Sequence, residues 1–178
     1  MKKLLGLVTL LVVLFYAIGF MLPKEYEVER SREIAADREA VFATLVDLAT
    51  WPAWSYWSEA ADPECAWTFA GEDARGRPTA VHWNGPVNGE RSLELVESHA
   101  HDRVRLVLTF VDGETRLRSD CALRLEELDG GTRVVWTLSG EMAGGAVHRW
   151  VGLLMDDAVG GALETSLDGL AAHLDPSS

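Results

Sequence analysis

The chain has 178 residues, 48% of them hydrophobic, and a formal net charge of −12. So acidic a chain repels phosphate backbones, which argues against nucleic acid as a partner. Its two cysteines, with no Cys-x-x-Cys spacing and no Cys/His cluster, offer no structural zinc site, and the length suits one domain of ordinary core size.

Lys2 and Lys3 are followed by an uncharged apolar run over 4–22. As a helix it is about 28 Å long, close to one hydrocarbon core. A secretory signal has a shorter apolar run, of about 7–15 residues, and a small-x-small cleavage site. This run ends in "IGFMLPKE", with no Ala-x-Ala, so residues 1–23 read as a membrane anchor crossing through 4–22. A cleaved signal is the alternative. The run has no polar face, unlike a helix packed on a soluble core. Lys2 and Lys3 favour the cytoplasmic side, while Lys24 is followed by Glu25, Glu27 and Glu29. The domain that follows is expected outside the cytoplasm.

"EYEVERSREI" (25–34) alternates as a strand, with Tyr26, Val28 and Arg30 on one face. The period then lengthens. Asp37 is placed to cap a helix over 37–48 that carries Val41, Phe42, Leu45 and Leu48. Thr50 is placed to cap a second short helix with Pro52 in its first turn. That helix would carry the densest aromatic stretch, "WPAWSYW" (51–57), with Trp51, Trp54 and Trp57 on nearly one side.

Six strands follow: 65–69, 79–85, 89–98, 103–110, 115–128 and 132–140. "VDGE" and "DGG" make hairpin turns before and after the strand over 115–128. Alternation places Cys65, Trp67 and Phe69 together, then Val81 with Trp83. It places Val104, Leu106, Leu108 and Phe110 inward, then Leu117, Ser119, Cys121, Leu123 and Leu125, then Val134, Trp136 and Leu138. Arg103, Arg105, Arg116 and Arg118 fall on the outer, solvated face. The last stretch, 146–175, has helical spacing. Val147, Val151, Leu154 and Ala158 form one stripe, continued by Leu163, Leu167, Leu170 and Leu174 past Gly160 and Gly161. One antiparallel sheet with helices on one face is an α+β architecture.

The opening "YEVERSREIAADREAVFATLVDLATWPAWSYW", the segment "GGTRVVWTLSGEM" and the final "WVGLLMDDAVGGALETSLDGLAAHL" resemble the START-like (SRPBCC) superfamily, in its polyketide cyclase/dehydrase and lipid-transport branch. Ile34, Ala36, Val41, Phe42, Trp51, Pro52, Trp54, Ser55 and Trp57 carry the likeness, which covers about residues 25–174. It implies a helix-grip fold over 24–175, with 176–178 a tail. In that fold a seven-stranded antiparallel sheet wraps around a long C-terminal helix, with two short helices after strand 1. It further implies a hydrophobic cavity between sheet and helix. Cavity-facing positions would be Tyr56, Trp57, Trp67, Phe69, Trp83, Leu106, Leu108, Phe110, Cys121, Trp136, Leu154, Met155 and Ala158. Trp51 and Trp54 would anchor the second short helix, and Tyr56 and Trp57 would sit at the cavity mouth. The same fold holds Cys65 and Cys121 too far apart for a disulfide, which needs Cα atoms within about 7 Å.

Chemistry needs placed acids, bases or nucleophiles. Asp157 and Glu94 are the carboxylates with any claim to such a role, and Asp156 beside Asp157 cannot share its direction. His82 points outward, His99 and His101 mark a turn, and two histidines are too few for a metal site. No Ser-His-Asp order, phosphate loop or Rossmann glycine pattern is present. The resulting expectation is membrane-tethered binding of an apolar small molecule or lipid, without cofactor or metal. The alternatives are a cyclase/dehydratase-like enzyme and an accessory domain whose cavity is filled by side chains.

Overall fold

The computed structural model describes residues 1–113, 115–142 and 144–175; the expected tail, 176–178, lies outside them. The chain runs α1 (Lys2–Met21), β1 (Glu25–Ile34), α2 (Arg38–Val46), a 3-10 turn (Leu48–Thr50) and α3 (Trp51–Trp54). Six strands follow: β2 (Ala66–Ala70), β3 (Ala80–Gly85), β4 (Gly89–His99), β5 (Arg103–Asp112), β6 (Thr115–Leu128) and β7 (Gly131–Glu141). Two helices, α4 (Ala146–Gly152) and α5 (Met155–His173), complete the described chain.

All seven strands form one antiparallel sheet in the order β1-β7-β6-β5-β4-β3-β2. β2 to β7 are a meander of hairpins, and the first strand closes the sheet beside the last. Turn chemistry sets the hairpins. Gly113 (φ 58°) and Gly130 (φ 90°) hold left-handed backbone between β5, β6 and β7, a conformation that costs glycine nothing. α2, α3 and α5 cover one face, giving the helix-grip arrangement. α2 begins where the Asp37 carboxylate accepts the Ala40 N–H at 2.7 Å, and Asp47 in the same way receives Ala49 N–H at 3.1 Å.

The registers turn the alternation of single strands into rows across the inner face. Val28, Leu138, Cys121, Leu106 and Leu95 make one row; Arg30, Trp136, Leu123 and Val104 make the next. Against these rows α5 presents Met155, Val159, Leu163, Ser166, Leu167 and Leu170. α2 adds Val41 and Leu45, and Trp51 stacks edge-on against Trp136 at 5.7 Å. Arg30 ties the edge strand to α5 through Asp156 (2.9 Å) and Glu164 (2.6 Å). Cys65 and Cys121 are both free thiols.

Three expectations are corrected. The stretch 146–175 is two helices, because the chain turns at Leu153 and Leu154 before restarting at Met155. α4 packs on α1 rather than on the sheet. The stripe of Val147, Val151 and Leu154 is therefore exposed, Ala158 with it, and α5's buried stripe starts one residue later, at Met155. Second, α3 ends at Trp54, since Ser55 is extended (φ −70°, ψ 161°), and Trp57 reaches the core from beyond the helix. Third, Thr50 does not cap α3 with its side chain. Its hydroxyl donates toward Asp47 and Thr44 carbonyls and accepts the Trp54 indole N–H at 3.2 Å.

Candidate ligand-binding site

One row of the inner face differs from the rest. At the β2–β5 end, register aligns Trp67 with Trp83, Trp83 with Arg91, Arg91 with Phe110, and Phe110 with Leu117. Trp67 and Trp83 stack at 5.0 Å, and Trp57, arriving from beyond α3, tilts onto Trp83 at 5.7 Å with Tyr56 edge-on behind it at 5.8 Å. The Arg91 guanidinium lies over Phe110, 5.1 Å from the ring centre. This is cation–π geometry, strengthened where water is excluded.

The row is rich in donors without acceptors. Trp67 Nε1, Trp83 Nε1 and Arg91 Nε are buried and receive no hydrogen-bond partner, where buried polar atoms are usually satisfied. Among the described residues no carboxylate pairs with Arg91. Burial pushes its guanidinium below the ordinary arginine value, against the opposing pull of Tyr56 and Cys65. The surrounding loops are pinned by buried polar groups. Asp62, 1% exposed, accepts Val87 N–H at 3.0 Å and Asn88 N–H at 2.8 Å. The Asn88 amide donates to the Trp57 carbonyl at 3.1 Å. Tyr56 N–H donates to Ser166 Oγ on α5 at 2.9 Å. The β3–β4 turn, the segment after α3 and α5 are thus joined around the aromatic row.

The structure gathers Tyr56, Trp57, Trp67, Trp83 and Phe110 at this end. Leu106, Leu108, Cys121 and Trp136 lie deeper, each fully buried. The Cys121 thiol is pushed up to about 12 by that burial, so it is a small apolar group at any physiological pH. Phe69, 42% exposed, shares the inner face by register but stands on the edge strand, where no helix covers it. Met155 is buried, whereas Leu154 and Ala158 face outward. Asp157 and Glu94 are both exposed, Glu94 on the outer face of β4 opposite Val107 and Ala80. Among the described residues no group of three or more His, Cys, Asp or Glu gathers. His101 instead stacks on Phe42 at 5.4 Å, and His99 bonds Glu97.

Sequence reasoning missed Arg91, Asp62 and Asn88. Arg91 keeps the parity of Leu93 and Leu95, so alternation already placed it inward; an arginine is simply assigned to solvent by default. Asp62 and Asn88 sit in loops, where period carries no information.

A cleft of about 630 Å³ lies on the opposite side of the sheet, lined by Glu29, Ser31, Arg32, Glu33, Arg124, Glu126, Arg133 and Val135. Most of its charges are paired, Arg133 with Glu33 at 2.6 Å, Arg124 with Glu126 at 3.1 Å and Arg32 with Asp168 of α5 at 3.3 Å. That leaves it a largely neutralised surface, unlike the aromatic row.

No curated protein matches the sequence. Solved structures share the fold at low identity. A protein of Chromobacterium violaceum superposes with a TM-score of 0.60 at 16% identity, over 85% of this chain and 99% of its own. A START superfamily protein of Mycobacterium smegmatis gives 0.61 at 15%, over 86% and 99%. A protein of Rhodobacter sphaeroides gives 0.57 at 20%, over 84% and 92%. A family model described as polyketide cyclase / dehydrase and lipid transport matches residues 25–175. With its START-like helix-grip fold, the chain belongs to the polyketide cyclase/dehydrase and lipid transport family.

Proposed function

We propose that the protein binds a hydrophobic small molecule or lipid between the sheet and α5, entering at the Trp57–Trp67–Trp83–Arg91–Phe110 row, while α1 tethers it to a membrane. Family and fold support a hydrophobic ligand-binding domain. The observation that carries the site is the aromatic row with its unpartnered indole and guanidinium N–H groups. A ligand there buries its apolar body on four aromatic rings, at about 25 cal/mol per Å² before the costs of association, and offers its polar end to waiting donors.

Tethering is supported by α1, whose mean hydropathy is 2.6 and whose leucines and valines are exposed on all sides. In this reading residues 1–23 are the anchor, residues 24–175 the binding domain, and Lys2 and Lys3 keep the N-terminus cytoplasmic.

The test is native mass spectrometry with lipid extraction on the full chain, solubilised in mild detergent from the membranes of its own host. A stoichiometric apolar molecule is expected, and Trp67→Ala with Phe110→Ala should lower its retention several-fold. A chain that is empty, and that also fails to take up a fluorescent long-chain alcohol, would overturn the reading.

A further inference from the structure

α4 departs from the rest of the helical layer. It lies on α1, not on the sheet, and its contacts fall on the last part of the apolar helix. The Trp150 indole N–H donates to the Phe15 carbonyl at 3.2 Å, and its ring stacks on Phe15 at 5.2 Å. Gly19 is what allows the approach, since a Cβ there would stand 2.7 Å from Ala146 Cβ and 2.9 Å from Trp150 Nε1. Arg149 donates to the Phe20 and Leu22 carbonyls and covers the Phe20 ring. It thereby satisfies carbonyls that the end of a helix leaves open.

The opposite face of α4 carries Val147 and Val151 beside the exposed His148, and the corner after it is apolar and uncovered. Val147 (46% exposed), Val151 (47%), Leu153 (51%) and Leu154 (59%) form a patch continuous with the exposed leucines and valines of α1. No other element of the described chain covers it.

We infer that α4 and the Leu153–Leu154 corner form a bilayer-inserted surface that seats the domain on the lipid. This rests on the reading of α1 as an anchor. The depth is fixed by the contacts. Phe15 to Leu22 span about 10 Å of helix, so an α4 docked along that length reaches about 10 Å below the end of α1, within the 5–10 Å at which interfacial helices settle. Residue types follow the same axis. Arg149 sits level with the helix end, where a guanidinium meets headgroups, and Trp150 sits one step deeper, in the zone that enriches tryptophan.

The test uses the full chain in phosphatidylcholine/phosphatidylglycerol vesicles, with the Cys65→Ser background and single environment-sensitive labels at V151C, L11C and E59C. Cys121 is buried and stays unlabelled in the folded protein. Lipids brominated at successive acyl positions report depth. The V151C label should be quenched from shallow acyl positions at least about threefold more than the E59C label, and the L11C label from deep positions. Quenching at L11C with none at V151C beyond the E59C level would overturn the seating of α4 while leaving the anchor intact. Absence of quenching at both would overturn the anchor, and the inference with it.

Discussion

Of the tryptophans in "WPAWSYW", none is free of the core. Trp51 is 2% exposed, donates from its indole to the Leu45 carbonyl at 3.2 Å and packs on Trp54 at 4.6 Å. Trp51→Ala is expected to cost about 3–5 kcal/mol, the range for emptying a fully buried aromatic site, read from the urea midpoint. Trp57→Ala should also weaken ligand retention, because Trp57 both packs on Trp83 and bounds the site. Cys121 makes a second residue-scale prediction. Burial raises its thiol from an ordinary 9.0 to about 12, and Tyr26 is raised by burial as well. Above the ordinary thiol value the unfolded chain gives up a proton that the folded chain keeps, so unfolding is favoured. This stability is fully present below pH 9.0 and is lost as pH rises toward about 12. Urea midpoints at about pH 8 and about pH 10.5 should fall further for the native chain than for Cys121→Ala; equal falls would contradict the assignment.

At the scale of elements, the close crossing of α5 over α3 depends on Gly169. A Cβ there would meet the Trp54 carbonyl oxygen directly, a backbone atom that cannot swing aside. In a free helix Gly→Ala stabilises by about 1 kcal/mol, but at this position overpacking of about 1–3 kcal/mol opposes it. Gly169→Ala should therefore lower the melting temperature, whereas Gly161→Ala, with open space around its Cβ, should raise it. Strand spacing was legible in the sequence because a half-buried antiparallel sheet writes its period of two into every strand, as β6 does from Leu117 to Leu125. The break between α4 and α5 was not legible. Residues 146–158 keep an unbroken helical period with no proline, and the corner exists because α4 rests on α1, a contact that no local pattern encodes. Trp57 was misplaced on a helix for a related reason: Ser55 turns extended so that Tyr56 N–H can reach Ser166 on α5, a contact 110 positions away.

For the whole molecule, the layer of sheet and helices follows from amphipathic pattern, while the candidate site depends on which strands become neighbours. Arg91, Trp83 and Phe110 were separate inward positions on three strands; only the registers of β3, β4 and β5 put Arg91 between the other two and its guanidinium over Phe110. The same division sets the last prediction, which concerns how α1 and the domain depend on each other. The core of β1 to β7 with α2, α3 and α5 has its own buried cluster, into which α1 contributes no residue. α4, by contrast, takes its cover from α1: the Trp150 N–H loses its acceptor without Phe15, and Arg149 loses the two carbonyls it binds. Residues 24–178 alone should fold, keeping the near-UV circular dichroism of the domain's buried tryptophans without the contribution of Trp150 stacked on Phe15. Amides of α4 should exchange at least about tenfold faster than in the full chain, while those of β5 to β7 are unchanged, because local opening follows local cover. Unchanged exchange in α4 would mean that its helix is held by the domain itself, and loss of the near-UV signal would mean that α1 supports the core.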